Sequence, residues 1–94
     1  MYALAILRYR KPLDEVLKVA DSHLAYLRDL KAKGVLLASG PMDPRNGGAL
    51  LLRVPDLAAL DAIRDADPYT TTGCAQYELL PWKPSIGVEE LDRL

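Results

Sequence analysis

The sequence is poor in the residues that carry covalent, metal and redox chemistry. Cys74 is the single cysteine, so no disulfide can close within the chain and no zinc site can rest on paired thiolates. Its neighbours Gly73 and Ala75 bring no cation that would activate the thiol, and Cys74 reads as a packing residue. His23 is the single histidine, and no carboxylate cluster has metal-ligand spacing, so neither a bound metal nor another cofactor is expected. Neither sign of charge is in excess. With 12 basic and 13 acidic residues the formal charge is −1, too little field to draw in nucleic acid or an anionic lipid surface. No apolar run approaches the roughly 18 residues that a membrane helix needs. Met1 to Leu7 is too short for a signal-peptide core, and Arg8 and Arg10 follow it rather than precede it. No internal repeat or low-complexity segment breaks the chain. The expectation is a cytoplasmic protein with no nucleic-acid or membrane partner.

What remains is the composition of a globular protein, 50% hydrophobic and 27% charged over 94 residues. That length supports one hydrophobic core, hence a single domain spanning 1–94. Ala3 to Tyr9 is an apolar run of strand length. From about Leu13 to Lys33, Val16, Ala20, Leu24, Leu27 and Leu30 recur at spacings of three and four, which predicts one amphipathic helix with Pro12 in its first turn and Gly34 as its C-terminal cap. Val35 to Ser39 and Gly48 to Val54 are further strands, separated by a polar loop. Asp56 is an N-cap for a second helix whose inner face carries Leu57, Leu60 and Ile63. Asp65 to Thr72 reads as a polar connection, and Gly73 to about Lys83 as a fourth strand whose Pro81 and Pro84 point to an exposed edge. The tail from Ser85 to Leu94 has room for one helical turn, with apolar residues suited to docking on a partner subunit.

The order strand, helix, strand, strand, helix, strand, joined by right-handed crossovers, predicts an α+β fold: a ferredoxin-like βαββαβ sandwich with two helices on one face of a four-stranded antiparallel sheet. Strands this rich in leucine should not leave the other face in water. A second copy is the simplest cover, so a homodimer is expected.

His23 falls on the inward stripe of the first helix, between Ala20 and Leu27. An imidazole there is either a core histidine with its hydrogen bonds satisfied or, beside a carboxylate, a general base. Asp67 precedes Pro68 and has two readings of its own, the N-cap of a short turn or the partner of a base. Tyr69, Tyr77 and Trp82 are aromatic residues suited either to lining a cleft or to core and dimer contacts. Gly47-Gly48 has the composition of a hairpin turn with positive φ and lacks the strand-to-helix context of a phosphate loop.

Three blocks narrow these choices. Ser22-His23-Leu24 with Tyr26-Leu27, Ala38-Ser39-Gly40-Pro41, and Asp65-Ala66-Asp67-Pro68-Tyr69 followed by Gly73 resemble, in order and spacing, the signature blocks of the YCII (YciI-like) family. The resemblance runs to Pro81-Trp82-Lys83-Pro84. It implies a dimeric α+β barrel arrangement of ferredoxin-like domains, with a His–Asp dyad carried by His23 and Asp67 beside a cleft near the subunit interface. The family includes a dehydrochlorinase of a chlorinated hydroxyhydroquinone, with a Tyr-Arg pair after the first strand to which Tyr9 and Arg10 would correspond. Arg10 and a hydroxyl would then stabilise an oxyanion, and Pro68 would fix the backbone beside Asp67. Where the family pattern would place a serine donor, the third strand opens with Gly47-Gly48-Ala49, which leaves Ser39 as the substitute. Tyr69 completes the set of substrate-binding candidates. Without the resemblance, Tyr9 is a strand end, Arg10 a solvated charge and Ser39 a locally bonded hydroxyl.

Two functions are consistent with this reading. One is a cofactor-independent enzyme moving a proton on a small molecule, a hydroxylated aromatic for example, with a lyase, isomerase or dehalogenase outcome. The other is a non-catalytic small-molecule-binding or interaction module that uses the same cleft. They differ in whether His23 and Asp67 meet beside an open pocket.

Overall fold

Alternation along the strands builds the sheet. The computed structural model describes residues 1–94. In β1 (Tyr2–Tyr9), Ala3, Ala5 and Leu7 are buried on one face, while Leu4, Ile6 and Arg8 turn to the other. β1 pairs antiparallel with both β3 (Gly47–Arg53) and β4 (Ala75–Trp82). β2 (Leu36–Pro41) pairs antiparallel with β3, which gives the order β2-β3-β1-β4. This is the ferredoxin-like order expected from the element sequence, with the proline-containing β4 on an edge. The register aligns Ala3 with Leu52, Ala5 with Leu50, and Leu7 with both Gly48 and Tyr77, so one face of the sheet is apolar across three strands.

The helices cover that face. α1 (Leu13–Leu17) buries Val16, α2 (Ala20–Ala32) buries His23, Leu27 and Leu30, and α3 (Leu57–Ala66) buries Leu60 and Ile63. The apolar side chains among these join Ala3, Ala5, Leu50 and Leu52 in one core. Burial of each Leu or Val side chain there contributes about 1.5–3 kcal/mol relative to exposure. Asp56 caps α3 as expected, its Oδ1 accepting from the Ala59 N–H at 2.8 Å. Gly34, at φ 76°, ends the first helical layer in the left-handed conformation that favours glycine.

Three expectations need correction. The helix from Leu13 to Lys33 is broken at Lys18-Val19, where the Val19 N–H bonds to the Val16 carbonyl at 3.0 Å in a tightened turn. Val16 and Val19 are β-branched and weak helix formers, and the break lets Val16 and the α2 stripe both reach the core. The connection from Asp65 to Thr72 is largely helical, formed by the end of α3 and by α4 (Pro68–Thr71). Gly47 and Gly48 are not a positive-φ turn but the first residues of β3, opposite Arg8 and Leu7. The strands approach so closely that a Cβ on Gly47 would lie 1.9 Å from the Leu7 carbonyl oxygen.

The opposite sheet face carries Leu4, Ile6 and Leu51, only half-buried, together with exposed Leu80 and Trp82. At one end of this face the tail forms α5 (Val88–Asp92). Arg53 donates to the Leu91 carbonyl at 3.1 Å and also to that of Leu94, while the Tyr2 hydroxyl donates to Asp92. The tail is thus tied to its own sheet through polar groups, and its Ile86 is 97% exposed. No helix is long and apolar enough to cross a membrane.

Candidate active site

Asp67 is positioned by the proline that follows it. A residue before proline is pushed out of the helical region, and Asp67 at φ −66°, ψ 129° ends α3 and becomes the N-cap of α4, with Pro68 in its first turn. Its Oδ1 accepts from the Tyr69 N–H at 2.9 Å, and its backbone carbonyl accepts from the N–H groups of Thr70 and Thr71 at 2.8 and 3.0 Å. The carboxylate is 0% exposed. His23 enters from α2, carried inward by the helical stripe that also buries Leu27 and Leu30. Its Nδ1 lies 2.8 Å from the same Asp67 Oδ1. The imidazole stacks on the Tyr69 ring at a centroid distance of 3.8 Å and an interplanar angle of 10°. Tyr77, rising from β4, donates its hydroxyl to Asp67 Oδ2.

The protonation pattern follows from the donors. Asp67 meets Tyr69 N–H, Tyr77 O–H and His23 Nδ1 on its two oxygens, the arrangement that a carboxylate anion needs in a dry interior. An acceptor-only carboxylate requires His23 to carry its proton on Nδ1, which leaves the lone pair on Nε2. Nε2 makes no hydrogen bond within the chain, and the only sealed side-chain N or O atom without a partner is Thr70 Oγ1, so Nε2 keeps an opening to the surface. The surrounding phenols are held neutral. Burial, and then the hydrogen bond to Asp67, push the Tyr77 hydroxyl well above the ordinary tyrosine range. Burial likewise raises Tyr69 and Tyr26.

A pocket of about 80 Å³ opens over His23. Leu7, Leu27 and Leu50 give it an apolar lining, and Ser39, Tyr9 and Tyr69 bring hydroxyls to its wall. Gly40 and Gly48 leave space where side chains would otherwise stand. The structure therefore gathers five sequence candidates: His23 and Tyr69 line the pocket over the Asp67 carboxylate, and Tyr9 and Ser39 share its wall. Pro68 stands behind, shaping the backbone of Asp67 without lining the pocket. Arg10 is not brought to the site. Its side chain is exposed beyond the end of β1, where its N–H pairs with the Cys74 carbonyl at 2.8 Å, and alternation sends it away from the face that Tyr9 occupies. Of the other aromatics, Tyr77 lies beneath Asp67, whereas Trp82 is on the opposite sheet face.

The guanidinium at the pocket belongs instead to Arg45, whose Nε donates to the Tyr9 hydroxyl at 3.3 Å. Sequence reasoning missed it. Within Asp43-Pro44-Arg45-Asn46 it has the look of any solvated turn charge, and only the return of β3 beside β1 brings it to Tyr9. No three His, Cys, Asp or Glu side chains gather where they could hold a metal ion.

Known proteins match this chain in both sequence and fold. The YCII-related domain model matches residues 1–83. Protein YciI of Escherichia coli O6:H1 and Protein YciI of Shigella flexneri are each 37% identical to it, the alignment covering 77% of this chain and 82% of the relative. Among solved structures, 5-chloro-2-hydroxyhydroquinone dehydrochlorinase (TftG) from Burkholderia phenoliruptrix AC1100, in complex with 2,5-dihydroxybenzoquinone, aligns with a TM-score of 0.79 at 24% identity, covering 90% of this chain and 96% of that chain. At that identity the likeness is one of fold.

The bond from Tyr77 to Asp67 predicts an alkaline limit to stability. Below about pH 10 both folded and unfolded chains keep the Tyr77 proton. Above it the unfolded chain releases the proton while the folded chain, with the hydroxyl raised, does not, so stability falls as pH rises. Urea unfolding should show a lower midpoint at about pH 11 than at neutral pH. Tyr77→Phe should cost about 1–3 kcal/mol at neutral pH, because Asp67 Oδ2 loses its donor. It should also remove part of the alkaline decline, with the raised Tyr2, Tyr26 and Tyr69 contributing other parts. An alkaline decline in Tyr77→Phe as steep as the wild type's would contradict this assignment.

Proposed function

The chain belongs to the YCII-related domain family, and on that premise we propose that it is a cofactor-independent enzyme in which His23 moves a proton on a small hydroxylated cyclic compound. The observation that carries this reading is the His23 Nδ1 to Asp67 Oδ1 contact of 2.8 Å, with Nε2 left free at an open pocket. A histidine sealed in the core would need both nitrogens satisfied within the chain, and His23 leaves Nε2 without a partner there.

In the proposed reaction Nε2 takes a proton from a C–H or O–H of the substrate, and the electron pair of that bond stays with the substrate. The imidazolium that forms is neutralised by Asp67, which holds the ring's orientation and does not itself take the proton. Returning the proton to a different atom gives an isomerase. Expelling a leaving group from the neighbouring carbon, as halide, gives a lyase or dehalogenase. The fold neighbour that is a dehydrochlorinase supports placing this chain among the latter outcomes, and its hydroxylated ring supports the substrate class.

The pocket volume of about 80 Å³ is smaller than the roughly 150 Å³ of a cavity that encloses benzene. A ring would therefore enter edge first, with part of it in the mouth beside Leu24 and Arg45. We further propose that residues 1–94 act as one domain and that two copies associate through the open sheet face. The apolar Leu4, Ile6, Leu51, Leu80 and Trp82 support this, Trp82 being 41% exposed in the single chain.

Screening hydroxylated and halogenated aromatic compounds for turnover tests the reading. On any substrate found, His23→Gln and Asp67→Asn should each lower kcat by about 10²–10⁴, with circular dichroism unchanged, since in Asp67→Asn the side-chain carbonyl oxygen can still cap α4. Wild-type turnover in His23→Gln would sink the assignment. For the assembly, sedimentation velocity should give twice the chain mass and Ile6→Glu should give one chain; a wild type that sediments as a single chain at micromolar concentration would refute the dimer.

A further inference from the structure

One charged side chain lines the pocket, and its partners do not include a carboxylate. Arg45 donates through Nε to Tyr9, lies within reach of the Tyr69 hydroxyl and makes no ion pair, so no carboxylate occupies its fork. No Asp or Glu lines the pocket with it. An Arg at an apolar rim binds anions better than one in open water, because the surroundings screen less and its planar fork matches two oxygens at once.

The position of Arg45 relative to His23 is set by aromatic packing. Tyr9 meets Tyr69 edge to face, with centroids 6.1 Å apart and an interplanar angle of 81°. Tyr69 in turn stacks on His23 at 3.8 Å. Guanidinium, phenol, phenol and imidazole thus form one continuous wall, with the cation at one end and the free Nε2 at the other. Tyr69 is kept a neutral phenol, chiefly by burial, so it supplies no negative charge to the guanidinium. Ser39 also lines the pocket, and its hydroxyl makes no hydrogen bond within the chain.

We propose that Arg45 is the anion-recognition residue of the pocket, so that the ligand is a small planar compound carrying an anionic oxygen, held with that oxygen at Arg45 and its opposite edge at His23. The inference rests on the pocket being the substrate site and adds the charge class of the substrate. It assigns to a residue of the β2–β3 turn the role expected of Arg10.

Benzoate and benzamide, alike in shape and different in charge, are the probes. Each is titrated at constant ionic strength into the full-length protein, and the His23 ring signals are followed by NMR. The wild type should bind benzoate about ten- to hundredfold tighter than benzamide, the size of a charge-assisted hydrogen bond. Arg45→Gln should bring that ratio close to one, mainly by weakening benzoate. Arg64→Gln, which removes the same charge from an exposed face of α3, should leave the ratio as in the wild type. If both probes shift His23 and the ratio is the same with and without Arg45, the role of Arg45 is overturned while the pocket remains a ligand site. If neither probe shifts His23 in any of the three proteins, both this inference and the functional reading beneath it fall.

Discussion

Asp67 has no exposed surface, so every hydrogen-bonding position on its carboxylate must be met from within the chain or cost stability. Three elements meet that demand: α2 through His23, α4 through the Tyr69 N–H, and β4 through the Tyr77 hydroxyl. The carboxylate is therefore a polar joint between the helical layer and the sheet, set inside an otherwise apolar core. Removing it would strand a ring nitrogen, a helix-terminal N–H and a phenol at once, each buried. The same joint selects which nitrogen of His23 carries the proton. Stability and the proposed chemistry at this site cannot be separated, because one set of hydrogen bonds would serve both.

The pocket above the joint owes its space to small residues. Ala20, Ser39, Gly40 and Gly48 surround the imidazole where larger side chains would have closed the core over it. Gly48 is constrained a second time by the edge strand, since a Cβ there would meet the Gly40 carbonyl oxygen at 3.0 Å. Beside it, Gly47 allows β1 and β3 to approach closely, and that approach brings the β2–β3 turn and Arg45 to Tyr9. The pocket's shape and its cation therefore share a cause in the two glycines that open β3.

Much of this was legible in the residues. The apolar run Ala3–Tyr9 and the turn residues between the other apolar runs specify four strands, and connection rules then leave few orders for them. The Pro81-Pro84 signal marked β4 as an edge, which the sheet order bears out. For Asp67, the helix cap and the contact with His23 are both present, because Oδ1 meets Tyr69 N–H and His23 Nδ1 together. The pairing itself, across 44 positions, was suggested by family resemblance and not by any local pattern. The break at Lys18-Val19 was hidden because the apolar spacing continues through it, and periodicity does not register a tightened turn. Arg10 enters through the Tyr-Arg pair of the family resemblance, whereas the proximity of Arg45, created by a returning strand, is not visible in a sequence.

The central claim is that Asp67 holds His23 as the Nδ1–H tautomer with Nε2 bare toward the pocket. Long-range ¹H–¹⁵N NMR of the single histidine, at a pH where its ring is neutral, reads the two nitrogens directly. The account predicts a protonated-type signal for Nδ1 and an unprotonated-type signal for Nε2. The reverse assignment, with the proton on Nε2, would mean that Asp67 does not accept from His23 and would contradict the account.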